Sequence, residues 1–289
     1  MPDFPIIDTH VHLIDNSRVP LSWGEGTPWY GKPHLPADLD AARGPVEIEA
    51  FVFVEVAVRA GLHEQEAAFV ADIATDEPRL QAIVAHAPME HGAAVGSSLE
   101  KLAAHARVRG IRRLLQDETD PAFCLRPAFV EAIKLLPSFG LHFEICIYHP
   151  QMESVIELVR RCPEVTFMLD HIGKPRIEHR LREPWATRLT ELATFENVTC
   201  KMSGLVTEAD HGNWQPGDLR FYIDHVVETF GFERICFGSD WPVVTFAAPY
   251  ARWVEVLDQT LSGTSESDLR KLYVDNARRF YRLGGSSGP

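Results

Sequence analysis

Short runs of apolar and β-branched residues alternate along the chain with stretches whose apolar positions recur every three to four residues. The runs fall at 6–12, 50–56, 80–86, 110–115, 141–147, 165–171, 198–202 and 235–240. Their near-continuous apolar content predicts buried parallel strands covered on both faces. Between them, Met152, Val155, Ile156 and Val159 mark one helical face, and Leu219, Ile223, Val226, Val227 and Phe230 another. Ser97 and Glu100 have the spacing of a capping box, while Pro127 and Pro150 suit first-turn positions. Eight strands alternating with helices predict a (β/α)8 barrel. A doubly wound open sheet is the alternative, but no Gly-x-Gly-x-x-Gly follows the first run, where a dinucleotide fold carries its phosphate loop.

Residues 13–44 are too long for an ordinary connection and hold Trp23, Trp29, Tyr30 and His34 among prolines and glycines. Aromatic content of this kind predicts a lid over the barrel mouth rather than a disordered loop. The expected organisation is one barrel domain over 1–283, followed by a flexible tail at 284–289 with linker composition.

The formal charge of −13 (28 basic against 41 acidic residues) disfavours nucleic-acid binding, which needs Lys and Arg to meet phosphate. The five cysteines are scattered without a Cys-x-x-Cys, which suits a reduced, cytoplasmic protein. No apolar run approaches the roughly 18 residues that span a bilayer, so no membrane partner is expected.

Chemistry concentrates at the ends of the runs. In an extended Asp8-Thr9-His10-Val11-His12, alternation turns Asp8, His10 and His12 to one face, with Asp8 one level deeper. Adjacent imidazoles suit metal binding or proton transfer. The other runs end in Glu55, His86, Arg112 with Gln116 beyond, Glu144, Asp170-His171, Lys201 and Asp240-Trp241. Ionisable groups at nearly every strand end are costly to bury unless paired or bound, and barrel enzymes work at that end. Asp170, adjacent to His171, is expected to face outward and cap a loop. The remaining histidines read as solvated or packing residues.

These residues resemble a known family. Asp8-Thr9-His10-Val11-His12, Leu169-Asp170-His171-Ile172-Gly173-Lys174-Pro175, Lys201-Met202-Ser203-Gly204-Leu205 and Phe237-Gly238-Ser239-Asp240-Trp241-Pro242 look like the amidohydrolase superfamily. Asp275-Asn276-Ala277-Arg278-Arg279-Phe280-Tyr281 is similar to its closing helix. Leu115-Gln116-Asp117-Glu118-Thr119-Asp120 and the stretch from Cys200 to Asp210 resemble its sugar-lactonase branch, which includes L-fuconolactonase and L-rhamnonolactonase.

The resemblance implies a distorted barrel that opens a sugar lactone to its aldonic acid, with that small molecule as its partner. His10, His12, His171 and Asp240 match the family's site, and Arg112 stands where binuclear members carry a bridging lysine. The fifth strand offers Glu144 in place of a histidine. The expectation is therefore at most one divalent metal, zinc, on His10, His12 and Asp240, partly occupied and dispensable. Asp240 is the expected general base and Arg112 a donor to the developing oxyanion. Glu55, His86, Gln116, Glu144 and Lys201 would hydrogen-bond ring hydroxyls, with Trp23 or Trp241 against an apolar sugar face. A pyrone-dicarboxylate lactonase and a metal-dependent decarboxylase on the same scaffold are the alternatives.

Overall fold

A computed structural model describes residues 1–27 and 29–284. Pro28, inside the expected lid, and all but the first residue of the expected tail lie outside the described residues. Eight parallel strands follow one another in chain order: β1 (Ile6–Val11), β2 (Ile48–Val54), β3 (Leu80–His86), β4 (Val108–Arg112), β5 (His142–Ile145), β6 (Phe167–Leu169), β7 (Val198–Met202) and β8 (Ile235–Phe237). The first and last edges meet just past the strands, where His12 N donates to Trp241 O at 2.8 Å and Asp240 N to His10 O at 2.9 Å. The sheet thus closes into the expected barrel, and β1 and β8 come together at their C-terminal ends.

Alternation sorts the side chains into two layers. Phe51 and Phe53 of β2 join the large apolar layer beneath the surrounding helices. Val52 and Val54 face the barrel interior, in a smaller cluster with Ala82, Val84, Met168, Cys236 and Tyr281. The long helices bury the predicted stripes: Met152, Val155, Ile156 and Val159 on the helix Met152–Arg161, and Leu219, Ile223, Val226 and Phe230 on Pro216–Phe230. The last helix, Asn276–Tyr281, inserts the fully buried Tyr281 ring into the interior. All five cysteines are buried and free. Pro127 opens its helix as expected. The Ser97 capping box does not form, because the helix Gly96–Ala103 begins before it and Ser97 lies inside the first turn.

The described residues between 13 and 44 make contacts of their own. Ile14 and Leu21 pack against Val56 with Trp23, Trp29 and Tyr30 around them. Trp29 stacks on His34 with centroids 4.7 Å apart. A short helix, Pro36–Ala42, leads into β2. Among the described residues, no helix is long and apolar enough to cross a membrane.

Candidate active site

β1 delivers His10 and His12 to the barrel mouth on its inner face. A backbone carbonyl can only accept, so the 2.8 Å contact of His12 Nδ1 with Val54 O puts the ring proton on Nδ1. Nε2 lies 3.2 Å from Asp240 Oδ1. His10 Nε2 lies 3.6 Å and His171 Nε2 4.0 Å from the same oxygen. Three imidazoles therefore converge on one carboxylate oxygen. Asp240 takes this position just past β8 with a left-handed backbone, φ 64°. Burial opposes its charge, but the facing imidazoles of His171, His12 and His10 hold its carboxyl well below the usual range. Burial lowers the pKa of His171 to about 3, and burial together with the Lys201 ammonium keeps His10 neutral.

His171 is held from behind by Ser203, its Nδ1 2.9 Å from Oγ. The loop after β7 comes so close that a Cβ on Gly204 (φ 69°) would lie 2.6 Å from that nitrogen. Asp8 touches neither histidine ring. It accepts from the backbone N of His10 and Ser239 and from the Tyr250 hydroxyl, tying β1 to the segment after β8. Burial nevertheless raises its pKa to about 6.

Beneath this cluster lies a closed layer of ion pairs. Arg112 donates Nε to Glu55 Oε1 at 2.7 Å and Nη1 to Asp170 Oδ2 at 3.1 Å. Its Nη1 also lies 3.3 Å from His10 Nε2, and Nη2 donates to the Glu55 carbonyl. Of the five N–H groups on a guanidinium, one remains. Lys201 sits between Glu144 Oε2 at 2.7 Å and Asp170 Oδ1 at 2.9 Å, and 3.1 Å from His10 Nδ1. Glu144 Oε1 accepts the Tyr281 hydroxyl at 2.5 Å and faces His142 Nε2 at 3.3 Å. Glu66 lies outside this layer beside Glu55, with Oε1 accepting from Val56 N and Oε2 unpaired; burial and the Glu55 charge raise its pKa to about 8.

Asp170 corrects the outward placement expected from strand alternation. β6 ends at Leu169, and His171, Ile172, Gly173 and Lys174 then run at φ 53°, 51°, 73° and 45°. The pleat that would separate neighbours is gone, and both Asp170 and His171 enter the barrel.

A cavity of about 350 Å³ opens above the cluster, lined by His12, Trp23, Arg112, Gln116, His171 and Asp240. The other expected substrate contacts lie elsewhere. Glu144 and Lys201 are fully buried in the layer below. Glu55 is committed to Arg112 and to Ala57 N, and borders, with His86, a neighbouring hollow of about 320 Å³. Trp241 is 2% exposed and packs edge-on to His34. Strand-end position alone does not separate a group facing the cavity from one a layer deeper. Conversely, Ser22, Asp117, Cys146 and Lys174 line the cavity without having been expected as site residues; Ser22, Asp117 and Lys174 lie in connecting segments, and Cys146 falls one residue past the end of β5. A larger hollow of about 410 Å³ lies at the N-terminal ends of the strands, around His142, Thr166, Thr199 and Phe280. It is remote from the converging histidines.

The donor set fits a divalent metal. His10, His12 and Asp240 offer ligand atoms within 4.8 Å of one another, as do His10, Asp170 and His171. Two imidazoles and a carboxylate are the nitrogen and oxygen donors that zinc takes.

The amidohydrolase family model matches residues 7–283. The chain belongs to that family. An L-fucono-1,5-lactonase of Burkholderia multivorans is 31% identical to this amidohydrolase over 300 residues, covering 96% of each chain. An L-rhamnono-gamma-lactonase of Scheffersomyces stipitis is 24% identical over 337 residues, covering 98% of this chain and 100% of the relative. The crystal structure of a Burkholderia multivorans amidohydrolase with bound zinc has a TM-score of 0.84 at 29% identity, covering 97% of this chain and 100% of that one. The zinc in that amidohydrolase and the His/Asp cluster here together suggest a divalent metal.

Proposed function

We propose that the protein hydrolyses a sugar lactone to its aldonic acid, in the manner named for its L-fucono-1,5-lactonase and L-rhamnono-gamma-lactonase relatives. The observation that carries this reading is the convergence of three imidazoles on one carboxylate oxygen of Asp240 at the floor of a cavity suited to one sugar ring. Asp240 takes a proton from a water molecule whose oxygen bonds to the lactone carbonyl carbon. The carbonyl π pair moves onto oxygen, and collapse breaks the bond to the ring oxygen, which receives the proton back from Asp240. The carboxylic acid then gives its proton to solvent.

His10 and His12 hold Asp240 in register, and His171, fixed by Ser203, closes the third side. A divalent metal on His10, His12 and Asp240 would polarise the carbonyl and lower the pKa of the water. The Arg112 guanidinium, 3.3 Å from His10 Nε2, repels such an ion and shares its ligand, which favours weak, partial occupancy. Trp23, anchored through Nε1 to Val56 O, offers the cavity a flat apolar wall. With Glu55 and Glu144 committed elsewhere, Asp117 and Ser22 are the groups that read ring hydroxyls.

A pyrone-dicarboxylate substrate fits less well. Arg112 and Lys201, the cations it would need, are both matched by buried carboxylates. A panel of aldonolactones followed with a pH indicator tests the proposal. Ring opening releases a proton, whereas decarboxylation consumes one; proton uptake from a carboxylated substrate, or no response to any lactone, overturns it.

A further inference from the structure

We infer that Lys174, with Gln116 beside it, is a catalytic group that receives the negative charge of the reacting carboxyl, first as oxyanion and then as product carboxylate. This rests on the lactonase reading above and extends it to a group that reading leaves idle.

Lys174 lines the same cavity as His12, His171 and Asp240. Its ammonium donates to Gln116 Oε1 at 2.6 Å and lies 5.3 Å from the centre of the Tyr148 ring. Among the described residues it has no carboxylate within 4.0 Å. The other interior cations are matched: Arg112 by Glu55 and Asp170, Lys201 by Glu144 and Asp170. Lys174 is thus the cavity-lining cation without a counterion of its own. Burial works against its charge, but Cys146, Glu208 and Asp240 nearby raise its pKa, so it stays protonated.

The partner strengthens the case. An ammonium has only donors, so Gln116 must turn its amide oxygen toward Lys174, where it also accepts from Cys146 Sγ at 3.4 Å. Its NH₂ group is left with no acceptor among the described residues, and Gln116 also lines the cavity. The pair therefore presents unsatisfied N–H donors on a wall of the cavity that holds the Asp240 base. Preorganised donors of this kind are what a developing oxyanion needs. The backbone is strained to bring Lys174 there: His171, Ile172 and Lys174 are non-glycine residues in the left-handed region, each at a cost.

Charge balance narrows the substrate. A neutral lactone enters, one negative charge develops on the carbonyl oxygen as the water oxygen bonds to carbon, and one charge remains on the product after the ring C–O bond breaks. Lys174 donates hydrogen bonds throughout and transfers no proton; Asp240 carries the proton from water to the ring oxygen. One unmatched cation meets one charge. The inferred substrate class is therefore a lactone without a carboxylate of its own.

The test compares wild type, K174M and K174R. K174M is expected to lose about a hundredfold or more in kcat, as for removal of an oxyanion donor, with K174R partly restored. Calorimetric binding of L-fuconate should weaken at least about tenfold in K174M, while binding of 1,5-anhydro-L-fucitol, which has the ring but no carboxyl, should not change. K174M turnover within about fivefold of wild type, or equal L-fuconate binding by the two, overturns the inference. If wild type opens no lactone, the lactonase reading fails by itself, and the calorimetric comparison still decides whether Lys174 is a carboxylate site. Matching thermal unfolding of the variants excludes misfolding as the cause.

Discussion

Asp240 Oδ1 and His12 Nε2 face one another at 3.2 Å, while the other nitrogen of His12 is held by Val54 O at 2.8 Å. The contact places Asp240 beside His12 at the floor of the cavity, where it is the candidate base. Asp240→Asn keeps the shape and supplies a donor to His12, but removes the base. Turnover should fall by at least about a hundredfold with little change in unfolding temperature. Steady-state kinetics beside a thermal melt check this, and near-normal turnover would remove Asp240 from the mechanism.

The crowding of His10 by Arg112 and Lys201 sets the expected metal content. Both cations lie within 3.3 Å of a ring nitrogen of His10, and an added divalent ion meets their repulsion. Elemental analysis of protein purified without chelator should find no more than one zinc per chain, and less after His12→Ala. Two tightly held ions per chain would contradict this account of the fourth strand.

Lys201 is the keystone of the buried layer. Replacing it with methionine leaves Glu144 and Asp170 as buried carboxylates without their cation, a loss of about 3–5 kcal/mol in typical cases. Tyr281→Phe removes one hydrogen bond to Glu144 and should cost about 1–3 kcal/mol. Denaturant midpoints should rank wild type above Tyr281→Phe above Lys201→Met. An unaltered Lys201→Met midpoint would mean that the layer contributes no stability.

Glu66 ties stability to pH. Its pKa is raised to about 8 in the fold from the ordinary glutamate value of 4.5. The folded state therefore keeps a proton that the unfolded chain gives up, so this contribution is complete below about pH 4.5 and is lost as pH rises toward 8. Glu66→Gln stays neutral throughout. Its stability relative to wild type should grow between pH 5 and pH 8, by a few kcal/mol at most. Denaturation curves at both pH values measure the difference, and a constant offset would show that Glu66 is ionised in the fold.

Much of the scaffold was legible because a closed parallel barrel repeats one pattern: buried runs such as Phe51–Val54 are apolar on both faces, and the helices between them keep a 3.6-residue stripe. His10 and His12 were legible because His-x-His spacing turns both rings to one face, and that outcome survives the register shift between Asp8 and Val11 and the end of β1 at Val11. Asp170 was misread because alternation stops one residue earlier, at Leu169, and nothing in the local sequence announces three non-glycine left-handed residues. Gly173, in the middle of that run, was the one visible sign. Lys201 and Glu144 were correctly assigned to strand ends, but depth is a property of the closed barrel rather than of the strand. Glu144 meets Tyr281 across 137 residues, a contact no local pattern carries.

The sealed ion-pair layer also governs traffic. Lys201, Glu144 and Asp170 are wholly excluded from solvent and fill the barrel axis below Asp240, whose cavity opens on the other side. A sugar ring lowered into that opening acts as a stopper. On the lactonase reading, water and substrate share that opening, so the attacking water is expected to enter ahead of the ring.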